Sequence, residues 1–187
     1  MLSDASPKQA AGSLRDGGVV LYPTEAVWGL GCDPFHAPAM QRLLALKQRP
    51  QAKGMIVIAA DFAQLESLLD LSRLPPERRA AVLASWPGPN TWALPCRDDL
   101  PESLRGAHDT LAARVTAHPV AAALCRAFGA PLVSTSANLS GQPPPRSRAL
   151  IDPRILQGVD AVVAGDTGGL ERPTPIRDAR TGDLLRD

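Results

Sequence analysis

The sequence predicts an α/β fold: one domain built on a twisted, mixed sheet with helices packed on it. Three observations carry that expectation. Short apolar runs bounded by Gly and Pro alternate with stretches of helical period. Several of the apolar runs follow one another with no helix between them, so the sheet cannot be purely parallel. The 187 residues, 44% hydrophobic and 21% charged, suffice for one core and contain no linker long enough to divide it. We therefore read residues 1–187 as a single domain.

The elements follow in order along the chain. Ser6 and Pro7 supply an N-cap and a first helical residue, and Gly17 and Gly18 end that helix. Residues 19–22 form a short apolar strand stopped at Pro23, and the chain then enters a loop through Gly31. Met40, Leu43, Leu44 and Leu46 recur at helical spacing, and Lys47, Arg49 and Pro50 close that helix. Residues 55–60 are almost continuously apolar, as in a buried strand. Asp61 and Gln64 resemble a capping box for a helix reaching Leu71. Residues 75–85 form a further helix, broken by the Trp-Pro-Gly-Pro sequence at 86–89. Strands are expected over 91–94 and 111–115, then a helix over 119–128 ended by Gly129. A strand from 132 runs into the Thr-Ser-Ala-Asn sequence at 135–138, and a Pro-rich loop spans 142–145. A strand over 160–164 and a hairpin over 176–186, turning at Thr181 and Gly182, complete the fold.

Charge narrows the function. Twenty basic and 19 acidic residues leave a net charge of +1, which excludes a polycation that binds nucleic acid by bulk charge but leaves room for a local basic cleft. Seventeen of the 20 basic residues are Arg, so an individual Arg is by default a surface charge. Lys8, Lys47 and Lys53 are the exceptions. Three scattered cysteines, Cys32, Cys96 and Cys125, argue against a disulfide framework and against CxxC zinc, and point to a reducing cytoplasm. No apolar run approaches the roughly 20 residues that cross a bilayer, and no signal peptide is expected at the N-terminus.

P-loop, GxGxxG, GxSxG and HExxH motifs are missing. His36, His108 and His118 are isolated and read as loop or helix-start residues; Cys32 and Cys125 read as core. Four segments remain unusual. YPTEAVWGLG at 22–31 brings a hydroxyl, a carboxylate and glycines to a strand exit, where glycine admits close approach of a ligand or forms an ordinary turn. KQRP at 47–50, followed by Lys53, places two cations two residues apart; in an extended segment they face the same way and can grip one polyanion, and at a helix end they complement its dipole. STSANLSG at 134–141 offers short donors to phosphate or hydroxyl oxygens, or forms a polar turn. Arg114 in the apolar run LAARV needs an anion, either an internal Asp or a bound carboxylate.

Taken in order, YPTEAVWGLGCDP, LLALKQRP, WPGPNT, AARVTAHP and PLVSTSANLSG resemble the YrdC/TsaC family of threonylcarbamoyl-AMP synthases, in its short bacterial form. The resemblance runs from Gly18 onward, with KxR and SxN as its hallmarks. It implies an α/β sheet with a concave basic cleft, and an enzyme that joins L-threonine, bicarbonate and ATP to give threonylcarbamoyl-AMP and pyrophosphate. It implies Mg²⁺ on the triphosphate, with no metal ligands from the protein. A downstream tRNA threonylcarbamoyl transferase complex would take the product, and direct tRNA contact is left open. Carried over by position, Lys47, Arg49, Lys53, Ser136 and Asn138 would line the ATP pocket, with Lys47 and Arg49 catalytic. Thr110, Arg146 and Arg186 would add nucleotide contacts, and Thr24, Arg114 and Thr174 would surround the threonine. Ala26 and Ile58 depart from the Thr and His found in relatives, both near the expected threonine site. Two other readings stand beside this one. A non-catalytic RNA-binding module fits poorly with 4% aromatic residues, and a Ser or Cys hydrolase lacks a nucleophile–base pairing.

Overall fold

The computed structural model describes residues 3–186. Its strands are β1 (Asp4–Ala5), β2 (Val20–Pro23), β3 (Trp28–Gly31), β4 (Ile56–Ala59), β5 (Thr91–Pro95), β6 (Thr110–Val115), β7 (Leu132–Ser136), β8 (Ala161–Val163), β9 (Ile176–Asp178) and β10 (Leu184–Arg186). They form one mixed sheet in the order β1-β8-β2-β3-β7-β4-β6-β5-β9-β10. β8 is parallel to both β1 and β2, β4 to β6, and β5 to β9; the other neighbours are antiparallel.

The helices are α1 (Pro7–Arg15), α2 (Ala37–Lys47), α3 (Ala63–Glu66), α4 (Pro76–Ala84), α5 (Glu102–Arg105), α6 (Pro119–Phe128) and α7 (Pro153–Gln157). Strand side chains alternate between two faces, and the helices divide accordingly. Val20, Tyr22, Ile58 and Leu132 pack with Leu14 of α1 and Leu124 of α6. Leu21, Leu30, Val57 and Leu94 pack with Met40 and Leu43 of α2, Val82 of α4 and Ile155 of α7. Burying each large aliphatic side chain contributes about 1.5–3 kcal/mol. The helix starts are well capped. Gln9 N donates to Ser6 Oγ at 3.3 Å while Ser6 N donates to Gln9 Oε1 at 2.8 Å. His36 and His118 accept from Ala39 N and Ala121 N at the starts of α2 and α6, a role worth about 1 kcal/mol when a cap is present.

Three sequence expectations are corrected. Residues 28–31 are a strand rather than a loop, paired with β2 from Pro23↔Trp28 to Val20↔Gly31. A Cβ on Gly31 would strike Val133 O and lie 2.9 Å from the Tyr22 ring, so this glycine makes room for Tyr22 and not for a ligand. The helix expected to reach Leu71 is only the four residues of α3; Leu69 instead bridges to Cys96, and Asp70 accepts from Ser72 N at 3.2 Å to start a 3₁₀ turn. Tertiary pairing there overrides local helix preference. β1, α5 and α7 had not been expected. For α7 the signal was present, since Asp152 accepts from Arg154 N at 2.8 Å and Pro153 begins the helix.

Candidate active site

The turn between β2 and β3, the outward ends of β4 and β7, and the segment before β9 enclose a cavity of about 320 Å³. A second cavity of about 480 Å³ adjoins it and shares Arg49, Met55, Ile56 and Arg186. Of the predicted residues, Thr24, Arg49, Arg114, Ser136, Thr174 and Arg186 line the first cavity. Lys53 and Thr110 line the second with Arg49 and Arg186. Lys47, Asn138 and Arg146 line neither.

At one end of the first cavity stands Arg114, only 5% exposed on β6. Its Nη1 donates to Thr91 Oγ1 at 3.1 Å and to Thr174 Oγ1 at 2.5 Å, and those two hydroxyls lie 3.0 Å apart. Its Nη2 is 3.2 Å from Glu25 Oε2 in a buried ion pair. Thr116 Oγ1 donates to the other Glu25 oxygen at 2.6 Å. Within the protein the anion beside Arg114 is thus Glu25, where the sequence had suggested an internal Asp or a bound carboxylate. Glu25, Thr91 and Thr116 are the site residues that sequence reasoning missed. The signal existed in two halves, a carboxylate in an apolar loop and a guanidinium in an apolar strand, each costly to bury alone. Thr24 Oγ1 donates to Val27 O at 2.7 Å, so it fastens its own turn and keeps acceptor capacity for a ligand.

Arg49 and Arg186 line the same cavity. Arg49 donates from Nη2 to Gly54 O at 3.0 Å, and its buried Nε has no hydrogen-bond partner. Among the described residues neither Arg49 nor Arg186 forms an ion pair. Arg186 is largely exposed on β10, yet crowding of its head group, then Arg49 and Arg114, pull its pKa downward. Burial lowers that of Arg49 as well. An anion placed between them would relieve this repulsion.

Lys47 and Arg49 do not project together from an extended segment. Lys47 is the last residue of α2, and Gln48 follows in the left-handed conformation at φ 53°, which turns the chain between them. The Lys47 ammonium is 3% exposed and donates to Ser136 O, to Asn138 O at 2.8 Å and to Asn138 Oδ1 at 3.2 Å. Burial first, then Arg49, push its pKa down to about 8. Asn138 also donates from Nδ2 to Gln142 O. Lys47 and Asn138 together therefore shape the loop after β7 and leave Ser136 facing the cavity. Arg146 donates to Leu170 O at 3.1 Å, and its own carbonyl accepts from Thr167 at 3.1 Å, so it ties down the segment leading to Thr174. Ala26 lines the cavity; Ile58 pairs with Arg114 across β4 and β6 but is fully buried against α6.

All three cysteines are buried, and burial pushes the Cys32 and Cys125 thiols up to about 12. Neither has the thiolate character of a nucleophile. Glu25, the one carboxylate lining the first cavity, is committed to Arg114 and Thr116. Among the described residues no three His, Cys, Asp or Glu side chains gather as a metal site. No helix of the described residues is long and apolar enough to cross a membrane.

Sheet and cavity together define the class: an α/β protein whose open mixed sheet carries an arginine- and hydroxyl-lined cavity. The chain belongs to the Sua5/YciO/YrdC family, whose model, described as telomere recombination, matches residues 12–187. It is 58% identical over 179 residues to a threonylcarbamoyl-AMP synthase of Xanthomonas axonopodis pv. citri, covering 96% of each chain. It is also 58% identical over 177 residues to one of Stenotrophomonas maltophilia, covering 95% of each. Among solved structures it resembles P. abyssi Sua5 complexed with L-threonine (TM-score 0.84, 32% identity), covering 92% of this chain and 50% of that longer one. It resembles E. coli YciO with a TM-score of 0.79 and 26% identity, covering 97% of this chain and 90% of that one.

Proposed function

We propose that this chain, acting as one domain in the cytoplasm, is a threonylcarbamoyl-AMP synthase, a nucleotidyltransferase that uses L-threonine, bicarbonate and ATP. The observation that carries the reading is one cavity lined both by Arg114, bonded to threonine hydroxyls and paired with Glu25, and by Arg49 and Arg186, which have no ion-pair partner among the described residues. The full-length relatives bearing that enzyme's name support it, as does the threonine complex of the Sua5 structure. Bicarbonate takes up a proton and loses water to give carbon dioxide; the neutral threonine amine adds to its carbon, releases a proton, and so becomes a carbamate. A carbamate oxygen then attacks the α-phosphorus in line, the P–O bond to the β-phosphate breaks, and pyrophosphate leaves. Such a transfer rests on positioning and charge neutralisation rather than on a covalent nucleophile.

The roles follow from placement. Arg114 and the hydroxyls of Thr24 and Thr174 receive the amino acid. Arg49, Arg186 and Ser136 receive phosphate oxygens, and Lys53 and Thr110 extend the nucleotide site into the adjoining cavity. Lys47, Asn138 and Arg146 act at one remove, by holding the loops that carry Ser136 and Thr174. Glu25 is already paired, and among the described residues no three His, Cys, Asp or Glu side chains gather as a metal site, so we place Mg²⁺ on the triphosphate as part of the substrate. The product passes to a tRNA-modifying transferase complex.

The test is to supply ATP, Mg²⁺, bicarbonate and one amino acid at a time, and to follow pyrophosphate release and the carbamoyl adenylate formed. Threonine should lead. Serine, which lacks one methyl, should trail by about 1–3 kcal/mol, and valine, which lacks the hydroxyl, by as much as about 10⁴-fold. RNA binding without amino-acid-dependent pyrophosphate release would overturn the assignment.

A further inference from the structure

The positive charge of the cavity is unevenly spent. Arg114 is matched by Glu25 at 3.2 Å, and Glu25 is itself fixed by Thr116 at 2.6 Å, so that pair carries no net charge. Arg49 and Arg186 line the same cavity without a carboxylate partner among the described residues, so their two positive charges stay unmatched. The two substrates differ in the same way. An α-amino acid is a zwitterion of no net charge, whereas a triphosphate is a dense polyanion. A buried guanidinium with nothing to offset it would attract phosphate at least as well as a carboxylate. A carboxylate beside it leaves its directional N–H donors in place and adds repulsion against a polyanion.

We propose that Glu25 sorts the two substrates. By neutralising Arg114 it reserves that guanidinium for the amino acid and confines the polyphosphate to Arg49 and Arg186. Glu25 is thus a specificity-determining residue that acts through Arg114, and the proposal rests on the function proposed above. Its Oε2 is buried, with no hydrogen bond beyond the ion pair, so its charge is spent on Arg114.

Calorimetric titration with pyrophosphate and, separately, with L-threonine tests this. In the unmodified protein one pyrophosphate should bind and leave threonine affinity unchanged. In Glu25→Gln, which keeps an acceptor for Thr116 and loses the charge, a second pyrophosphate should bind and displace threonine competitively, weakening its apparent affinity on the order of tenfold. Arg186→Gln, on the exposed β10, should weaken pyrophosphate about tenfold or more and leave threonine within twofold. Competition between the two ligands in the unmodified protein overturns the sorting, whether or not Glu25→Gln folds. So does equal weakening of both by Arg186→Gln, or a folded Glu25→Gln variant that still binds a single pyrophosphate without competition. Independent binding of both ligands with no adenylate formed from ATP would instead overturn the synthase reading and leave the sorting standing.

Discussion

Lys47 and Arg49 carry the same charge two residues apart, and the fold places them in different surroundings. Lys47 ends α2 under the loop after β7, with three oxygens around its ammonium. Arg49 lies beyond the left-handed Gln48 and lines the cavity, with one bond to Gly54 and a buried Nε that has no partner. One cation is held by three oxygens of the architecture, and the other lines the cavity with no ion-pair partner among the described residues. A charge doublet in a sequence thus need not be one functional unit, because a single left-handed residue between its members is enough to part them.

Substitutions can break or sharpen that contrast. The largest effect should come from Arg49→Ala, with pyrophosphate release falling about 10²–10³-fold, as when one preorganised charge-stabilising donor is lost. Its melting temperature should move little, since only one hydrogen bond goes with it. Lys47→Met should do the reverse. Leaving buried carbonyls without a donor costs about 1–3 kcal/mol, so thermal unfolding should shift down by several degrees. If Lys47→Met melts normally and loses only nucleotide affinity, Lys47 belongs with Arg49 and the contrast fails.

Asn138→Ala should fall between them. It removes one of the three acceptors for Lys47 and the donor to Gln142, costing about 1–2 kcal/mol, and it should raise the KM for ATP more than it lowers kcat. A variant of full stability with lost ATP affinity would show that the Asn138 side chain leaves these partners to bind ligand.

The smallest effect concerns pH. Burial, then Arg49, hold the Lys47 pKa at about 8 in the folded chain, below the ordinary lysine value of 10.5. Between those values the unfolded chain holds more protons on this residue, so its contribution to stability rises with pH from about 8 to about 10.5. Below 8 the buried ammonium carries its full desolvation cost, offset in part by its three acceptors. Denaturant melts of the unmodified protein and Lys47→Met across this window should diverge as pH rises. Parallel curves would mean that Lys47 titrates alike in both states.

Much of the sheet was legible because buried strands such as β4 and β6 announce themselves as apolar runs. β3 was not, because its two glycines resemble a loop until Tyr22 is seen to fill the space they leave. β1 has only two residues and exists through its partner β8, so no local pattern marks it. The candidate site was legible residue by residue more than as a geometry. Arg114 betrayed its need for an anion, but Glu25 lies 89 positions away in sequence by the numbering and meets it only through the sheet order. The orientation of Lys47 depended on one backbone angle at Gln48, which composition does not disclose.

The strand order also governs when this chain can fold. β2 needs β8 on one side, β3 needs β7, and β5 needs β9. No long N-terminal stretch can therefore complete its own sheet, and the partners that close it arrive late in synthesis. Loop closure over such separations must be paid before the pairing rewards it, which slows the folding of chains with distant contacts. A nascent chain stalled before residue 161 would present the edge of β2 unpaired, a surface open to mispairing with other chains. In this molecule the last quarter of the sequence acts as a clasp, and the cavity takes shape only once Thr174 and Arg186 have arrived.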